Sequence, residues 1–285
     1  MMPLDTGTKI AICFLFALVI GALVVPLLPL PNPATFSLEH ALTPPNWIAS
    51  PVLGTDAQGR DIAARVLWGA RVSLTVGLLG SLVALLVGLP WGAVAGYRGG
   101  RIDRWMMRFC DGLESVPLVV VVLFLLTLLQ EYRIEMDKVG IERIHLFYFA
   151  VGALFWLPTA RVARAEALRL RKTAFVEAAQ SLGASTPSIL FRHVLPHLLA
   201  TVLVMLTLTL PRVMLMEAFL SFLGLGVEAP AVSWGTLARD GLATLNPLVD
   251  CWWILAAPGA ALALTLLAFQ CLSDGVQKRL NSREQ

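Results

Sequence analysis

Long apolar runs without charge alternate along this chain with short polar stretches. No Asp, Glu, Lys or Arg occurs between Lys9 and Glu39, between Arg71 and Arg98, or between Asp250 and Asp274. About 20 apolar helical residues cross a hydrocarbon core of about 30 Å, so runs of this length predict membrane spans. With the shorter runs included, six are expected, at residues 10–30, 72–96, 105–130, 144–160, 198–222 and 251–272. Arg108, Asp111 and Glu114 enter the start of the third, and the fourth is short. The first follows a single Lys9, is too long for a signal-peptide core and lacks a small-x-small cleavage site, so it reads as an uncleaved span.

Composition agrees with the pattern. Of 285 residues, 57% are hydrophobic and 14% charged, with a mean hydropathy of +0.75. Soluble chains carry about 25% charged residues, so this one is expected to be an all-α integral membrane protein with six transmembrane helices. A net charge of +3 is too small to draw nucleic acid, and the basic residues sort by membrane side. With the N-terminus inside, 14 Lys and Arg fall on the cytoplasmic side and 7 opposite, Arg212 lying within a span. That bias predicts both termini in the cytoplasm. The cysteines at 13, 110, 251 and 271 are isolated in apolar context and read as small packing residues.

Two segments outside the spans carry organisation. Residues 1–70 form a first span and a Pro-rich external stretch, and residues 71–285 form a five-span core with a cytoplasmic loop at 161–197. In that loop Thr173 can cap a helix over 174–182, with Glu177 in its early turns where a carboxylate suits the helix dipole. Gly183 stops it. Ser185-Thr186-Pro187 then starts a second short helix that carries Ile189, Leu190, His193 and Val194 ahead of Pro196.

The run Glu177-Ala178-Ala179, with Gly183 four positions on and then His193-x-Leu195-Pro196, resembles the EAA loop of ABC importer permeases, which docks into the ATPase subunit. The resemblance extends from about Leu53 to the end. Leu53-Gly54-Thr55-Asp56 with Gly59-Arg60-Asp61, and Gly69-Ala70-Arg71-Val72-Ser73-Leu74, are similar to the external segment of the second permease of oligopeptide, dipeptide and nickel importers. So are Ala95-Gly96-Tyr97-x-Gly99-Gly100 with Asp103, Met107-Arg108, Asp111 and Pro117, and the run Leu220 to Gly226, containing Gly224, followed by Ser233-Trp234-Gly235.

This resemblance implies a type I ABC importer permease fold in the bacterial cytoplasmic membrane. It also implies a second homologous permease, two ABC ATPases that bind ATP and Mg, and an external solute-binding protein as partners. The chain itself is expected to bind no cofactor and catalyse nothing, since none of Lys9, Lys138, Lys172 and Lys278 follows a glycine-rich phosphate loop. Within the membrane Arg212, Met216, Glu217 and Glu114 are the pathway candidates, because intramembrane charge is costly and usually faces a cavity or partner. Arg212 and Glu217 lie about 140° apart around a helix, too far to pair. Arg108 is placed to pair with Asp111, one turn on. His193 and His197 lack a third ligand, so no metal site is expected. Residues 131–143 carry seven charges and read as a solvated outer loop. An intramembrane hydrolase would need H-E-x-x-H or G-x-S-x-G, and both are absent. Short peptides are the expected cargo, with nickel complexes, glutathione or other small solutes as the alternative.

Overall fold

The computed structural model describes residues 5–281 except positions 29, 30, 32, 34, 47, 49, 133, 134, 136, 137, 139–151, 153, 154, 228 and 246–248. The charged segment 131–143 and the start of the predicted span at 144–160 lie mostly outside the described residues. Among the described residues the chain is helical, with one isolated bridge between Thr55 and Asp61. The helices are α1 (Thr6–Val24), α2 (Ile62–Arg98), α3 (Gly100–Glu114), α4 (Leu118–Glu131), α5 (Trp156–Leu170), α6 (Ala174–Ser181), α7 (Thr186–Ile189), α8 (Leu195–Phe222), α9 (Trp234–Thr244) and α10 (Trp253–Asn281).

Among the described residues, four stretches are long and apolar enough to cross a bilayer: Thr6–Leu27, Ile62–Arg98, Val204–Phe222 and Trp253–Arg279. α2 is longer than expected. Its 37 residues extend about 55 Å at 1.5 Å per residue, well past a 30 Å core, so Arg65 and Arg98 near its ends need not enter lipid. Asp61 starts it early, accepting the Ala64 N–H at 3.0 Å as a helix cap does. The run 105–130 is two helices rather than one. Pro117 has no N–H and disfavours helical backbone in the residue before it, so α3 ends at Glu114 and α4 begins at Leu118. α3 carries the charges and α4 the apolar side chains.

The described chain forms two compact units, residues 1–77 with 214–285 and residues 78–213. In the second unit a Gly88-x-x-x-Gly92-x-x-x-Gly96 stripe on α2 meets α5 backbone to backbone. A Cβ at Gly92 would lie 2.1 Å from the Ala160 carbonyl oxygen and one at Gly96 2.3 Å from that of Arg164. Small residues at four-residue spacing allow this approach, and Ala160, Ala163 and Ala167 complete the seam, all buried. Trp91 packs at 5.6 Å from Phe109 of α3 and at 5.2 Å, edge-on, from Trp156 of α5.

In the first unit α1 lies on α10, where Gly275 leaves room for the Thr8 side chain, and α9 lies on α10, where Gly241 faces the Leu255 backbone. Residues 38–46 and 50–61 fold back onto the start of α2. The buried Asp56 accepts the Gln58 and Arg60 N–H groups at 2.8 and 3.0 Å, and Trp253 Nε1 donates to the Thr55 carbonyl at 3.2 Å.

Candidate functional site

The 171–197 element is built on the seam of α2 and α5. Thr173 sits at the start of α6, yet its hydroxyl donates to the Leu170 carbonyl at 2.6 Å and leaves the first α6 N–H groups uncapped by a side chain. Its backbone serves instead, the Thr173 carbonyl accepting the Val176 and Glu177 N–H groups. Gly183, at φ +78°, ends the helix in the left-handed region that glycine adopts without strain, with the Ala184 N–H donating to the Ala179 carbonyl at 3.0 Å.

The second short helix does not stop before Pro196. α7 passes through one π turn, Leu190–Val194, straight into α8. Pro196 falls in the first turn of α8, where its missing N–H leaves little unpaired, and a π turn is a common way to absorb such a junction.

Burial divides this element into two faces. Val176, Ala179, Ile189, Leu190 and Val194 pack with Leu89, Ala93 and Tyr97 of α2 and Ala163, Ala167 and Leu170 of α5 in one core. Gln180 Nε2 donates to the Tyr97 hydroxyl at 3.0 Å. Glu177 and Ala178 point outward with Leu182, 88% exposed, and Phe191, 74% exposed. Leu182 and Phe191 are thus large apolar side chains left open on this element. His193 and His197 serve packing: His197 Nδ1 donates to the His193 carbonyl at 2.6 Å, and its ring stacks 4.7 Å from Phe175. Leu195 is half-buried and Pro196 exposed. No group of three metal-ligating side chains is found among the described residues.

The basic loop residues fasten α3 to α5. Arg164 grips the mostly buried Asp103 through both carboxylate oxygens, at 2.5 and 2.6 Å. Asp111 pairs with Arg161 at 2.7 Å rather than with the exposed Arg108, and the same guanidinium holds Glu114 at 2.6 Å. Sequence spacing favoured the neighbour one turn away, but a single Arg161 placed between two acids of one α3 face satisfies both.

Glu217 of α8 is completely buried. Ser73 of α2 donates to one carboxylate oxygen at 3.1 Å and Ser221 to the other at 2.7 Å. These hydroxyls in turn accept the Trp234 N–H at 3.2 Å and the Val227 N–H at 3.3 Å. Gly226 and Gly235 give this cluster its space, since a Cβ at Gly226 would overlap the Ser221 hydroxyl and one at Gly235 would lie 2.4 Å from the Ala218 carbonyl. Gly224, at φ +82°, closes α8, and Trp234 anchors α9 by donating from Nε1 to the Val66 carbonyl at 2.9 Å. Arg212, by contrast, is exposed and has no salt bridge among the described residues, and Met216 is half-buried.

Asp56, Arg60 and Asp61, prominent in the sequence, belong to a charge network at the start of α2. Asp56 accepts from Arg60 Nε and from the buried Arg65, both at 2.6 Å, and Asp240 of α9 receives Arg65 at 3.1 Å. Arg71 lies outside it, over the Trp68 ring at 5.9 Å.

Several structural partners escaped the sequence reading. The Gly88, Gly92 and Gly96 stripe was legible as a spacing. The roles of Ser73 and Asp240 were not, because their partners Glu217 and Arg65 lie 144 and 175 residues away.

Residues 88–285 match the family described as binding-protein-dependent transport system inner membrane component. The chain is 35% identical over 277 residues to the oligopeptide transport system permease protein OppC of Bacillus subtilis (strain 168), covering 96% of this chain and 85% of that protein. It is 37% identical over 278 residues to the dipeptide transport system permease protein DppC of the same organism, covering 96% and 82%, and 36% identical over 280 residues to OppC of Escherichia coli (strain K12), covering 97% and 88%. In fold, two inward-facing crystal forms of the MetNI methionine ABC transporter superpose with TM-scores of 0.57 and 0.58 at 15% and 18% identity, covering 72% and 75% of this chain and 91% and 94% of those chains. A multi-pass chain with these relatives belongs to the binding-protein-dependent transport system inner membrane component family, as a non-catalytic permease subunit of an ABC importer.

Proposed function

We propose that this permease moves short peptides inward across the bacterial cytoplasmic membrane by alternating access. It works beside a second homologous permease, two ATPases that bind ATP and Mg, and an external solute-binding protein. Six spans with both termini cytoplasmic place the 171–197 element on the ATPase side. The observation that carries the reading is the two-faced build of that element. Its inner face is locked to α2 and α5, while Glu177, Ala178, Leu182 and Phe191 stand free to meet a partner. Such an element transmits a push rather than absorbing it. Shifting a two-state equilibrium from 1:99 to 99:1 takes about 5.5 kcal/mol, so the contact must be firm.

The exposed Arg212 and the half-buried Met216 are the pathway residues of this reading. Glu217 and Glu114, held by Ser73 and Ser221 and by Arg161, act as braces. Peptide as cargo rests on the peptide systems to which the relatives described above belong by name.

The test is a reconstituted importer with Glu177→Ala, Gly183→Val or neither. Both variants should insert and assemble while losing most peptide-stimulated ATPase activity and uptake. Full coupling in both would refute the assignment, and stimulation by a nickel chelate or glutathione in place of peptides would move the cargo to the alternative.

A further inference from the structure

Beside the Asp56 network lies a cavity of about 550 Å³ lined by Arg60, Arg65, Arg239 and Asp240, with Phe36 and Val232 among its apolar walls. Its size falls in the range of small-molecule sites, about 300–1,000 Å³. Asp56 binds Arg60 and Arg65 at 2.6 Å, and Asp240 approaches Arg65 at 3.1 Å but Arg60 and Arg239 only at 3.7 Å. Among the described residues, three guanidinium groups thus face two carboxylates.

Two donors are incompletely used. Arg65 is 4% exposed, yet its Nε has no hydrogen-bond partner, and a buried unpaired donor is costly. Arg239 has a half-exposed side chain whose contact to Asp240 is too long for a hydrogen bond. A guanidinium fork matches a carboxylate in shape and charge. Phe36 lies 5.6 Å from the Arg60 guanidinium and offers an apolar surface next to that charge.

We propose that this cavity binds a small organic carboxylate with a short apolar body. Arg239 supplies the free fork, Arg60 and Arg65 supply the positive field, and the Phe36 and Val232 side holds the apolar part. The enclosed volume suits one or two residues of a peptide end and not the surface of a folded partner. The inference rests on the proposed membrane orientation only in placing the cavity on the outer side.

The experiment uses right-side-out vesicles holding the assembled importer, with Ala231→Cys in the cavity wall and a membrane-impermeant maleimide. The labelling rate is read above that of the unsubstituted importer. N-acetyl-leucine should slow labelling, and N-acetyl-leucinamide, which differs only at the carboxylate, should not. Arg239→Gln in the same background should raise the half-protecting concentration about tenfold, with Arg239→Lys in between. Equal protection by acid and amide, or none by either, overturns the proposal. Protection that appears only when the binding protein is added also overturns it, because the carboxylate then belongs to that partner. Labelling from inverted vesicles alone faults the orientation instead, and the acid and amide comparison made there decides the cavity. Should Ala231→Cys fail to assemble, saturation-transfer NMR on the unsubstituted importer with the same two probes gives the same decision.

Discussion

Replacing Gly92 by alanine puts a methyl group where α5 already stands. The new Cβ would lie 2.1 Å from the Ala160 carbonyl oxygen, 2.7 Å from the Ala163 Cβ and 2.8 Å from the Arg164 nitrogen. Ordinary contact begins near 3.4 Å, so α2 and α5 would have to part by roughly 1.3 Å. Two of the three atoms are backbone and cannot rotate away. Overpacking of this kind costs about 1–3 kcal/mol, and alanine's better helix propensity returns about 0.5–1 kcal/mol. With the clash at the upper end of its range, the net loss is about 2 kcal/mol, a fall in Tm of roughly 5 °C. The core under α6 shares this seam through Leu89, Ala93, Ala163 and Ala167, so coupling should weaken with stability. The assay is thermal unfolding of the purified importer followed by size-exclusion fluorescence, with peptide-stimulated ATPase activity measured alongside. Gly112→Ala on α3, where nothing lies within 4 Å, is the control and should be neutral or slightly stabilising. Equal Tm values for the two variants would refute the argument that the glycine stripe sets the approach of α2 to α5.

Three further outcomes follow from the same geometry. Ser221→Ala removes one donor from the buried Glu217 and leaves the Val227 N–H without its acceptor, so stability should fall by about 1–3 kcal/mol. Glu217→Gln on top of it should recover part of that loss in a double-mutant cycle, and strict additivity would show that the two side chains do not interact. Arg164→Ala strips Asp103 of both its bonds and should destabilise α3 by about 1–3 kcal/mol, less than for a fully buried pair because the arginine side chain is 35% exposed. Faster hydrogen exchange along α3 than along α10 would report it, and an unchanged exchange pattern would contradict it. Leu182→Asp with Phe191→Asp alters only exposed side chains, so Tm of the isolated permease should move by less than about 0.5 kcal/mol equivalent. Co-purification of the ATPases should be lost, and retention would remove these two residues from the docking face.

The charge-free runs were enough to show a membrane chain, because hydrocarbon admits no other explanation for stretches of that length without Asp, Glu, Lys or Arg. The helix, glycine, helix form of the 171–197 loop was equally legible, since a left-handed turn at Gly183 and a proline near a helix start are local rules that need no distant partner. What the linear pattern could not supply was any interaction that closes only when helices meet. It offered Arg108 to Asp111 by spacing, whereas α5 brings Arg161 to both Asp111 and Glu114. It read 105–130 as one span, although Pro117 divides an amphipathic helix from an apolar one. It offered Glu217 as a pathway charge, but the side chain is completely buried, with Ser73 and Ser221 each donating to one carboxylate oxygen. The difference is physical. Apolar periodicity, caps and glycine turns act within a few residues and so are written in the order of the chain, whereas the partner of a buried charge is chosen by which helices can approach closely. Here that choice belongs to small residues such as Gly92, Gly226 and Gly235, whose effect appears only once the backbones facing them are in place.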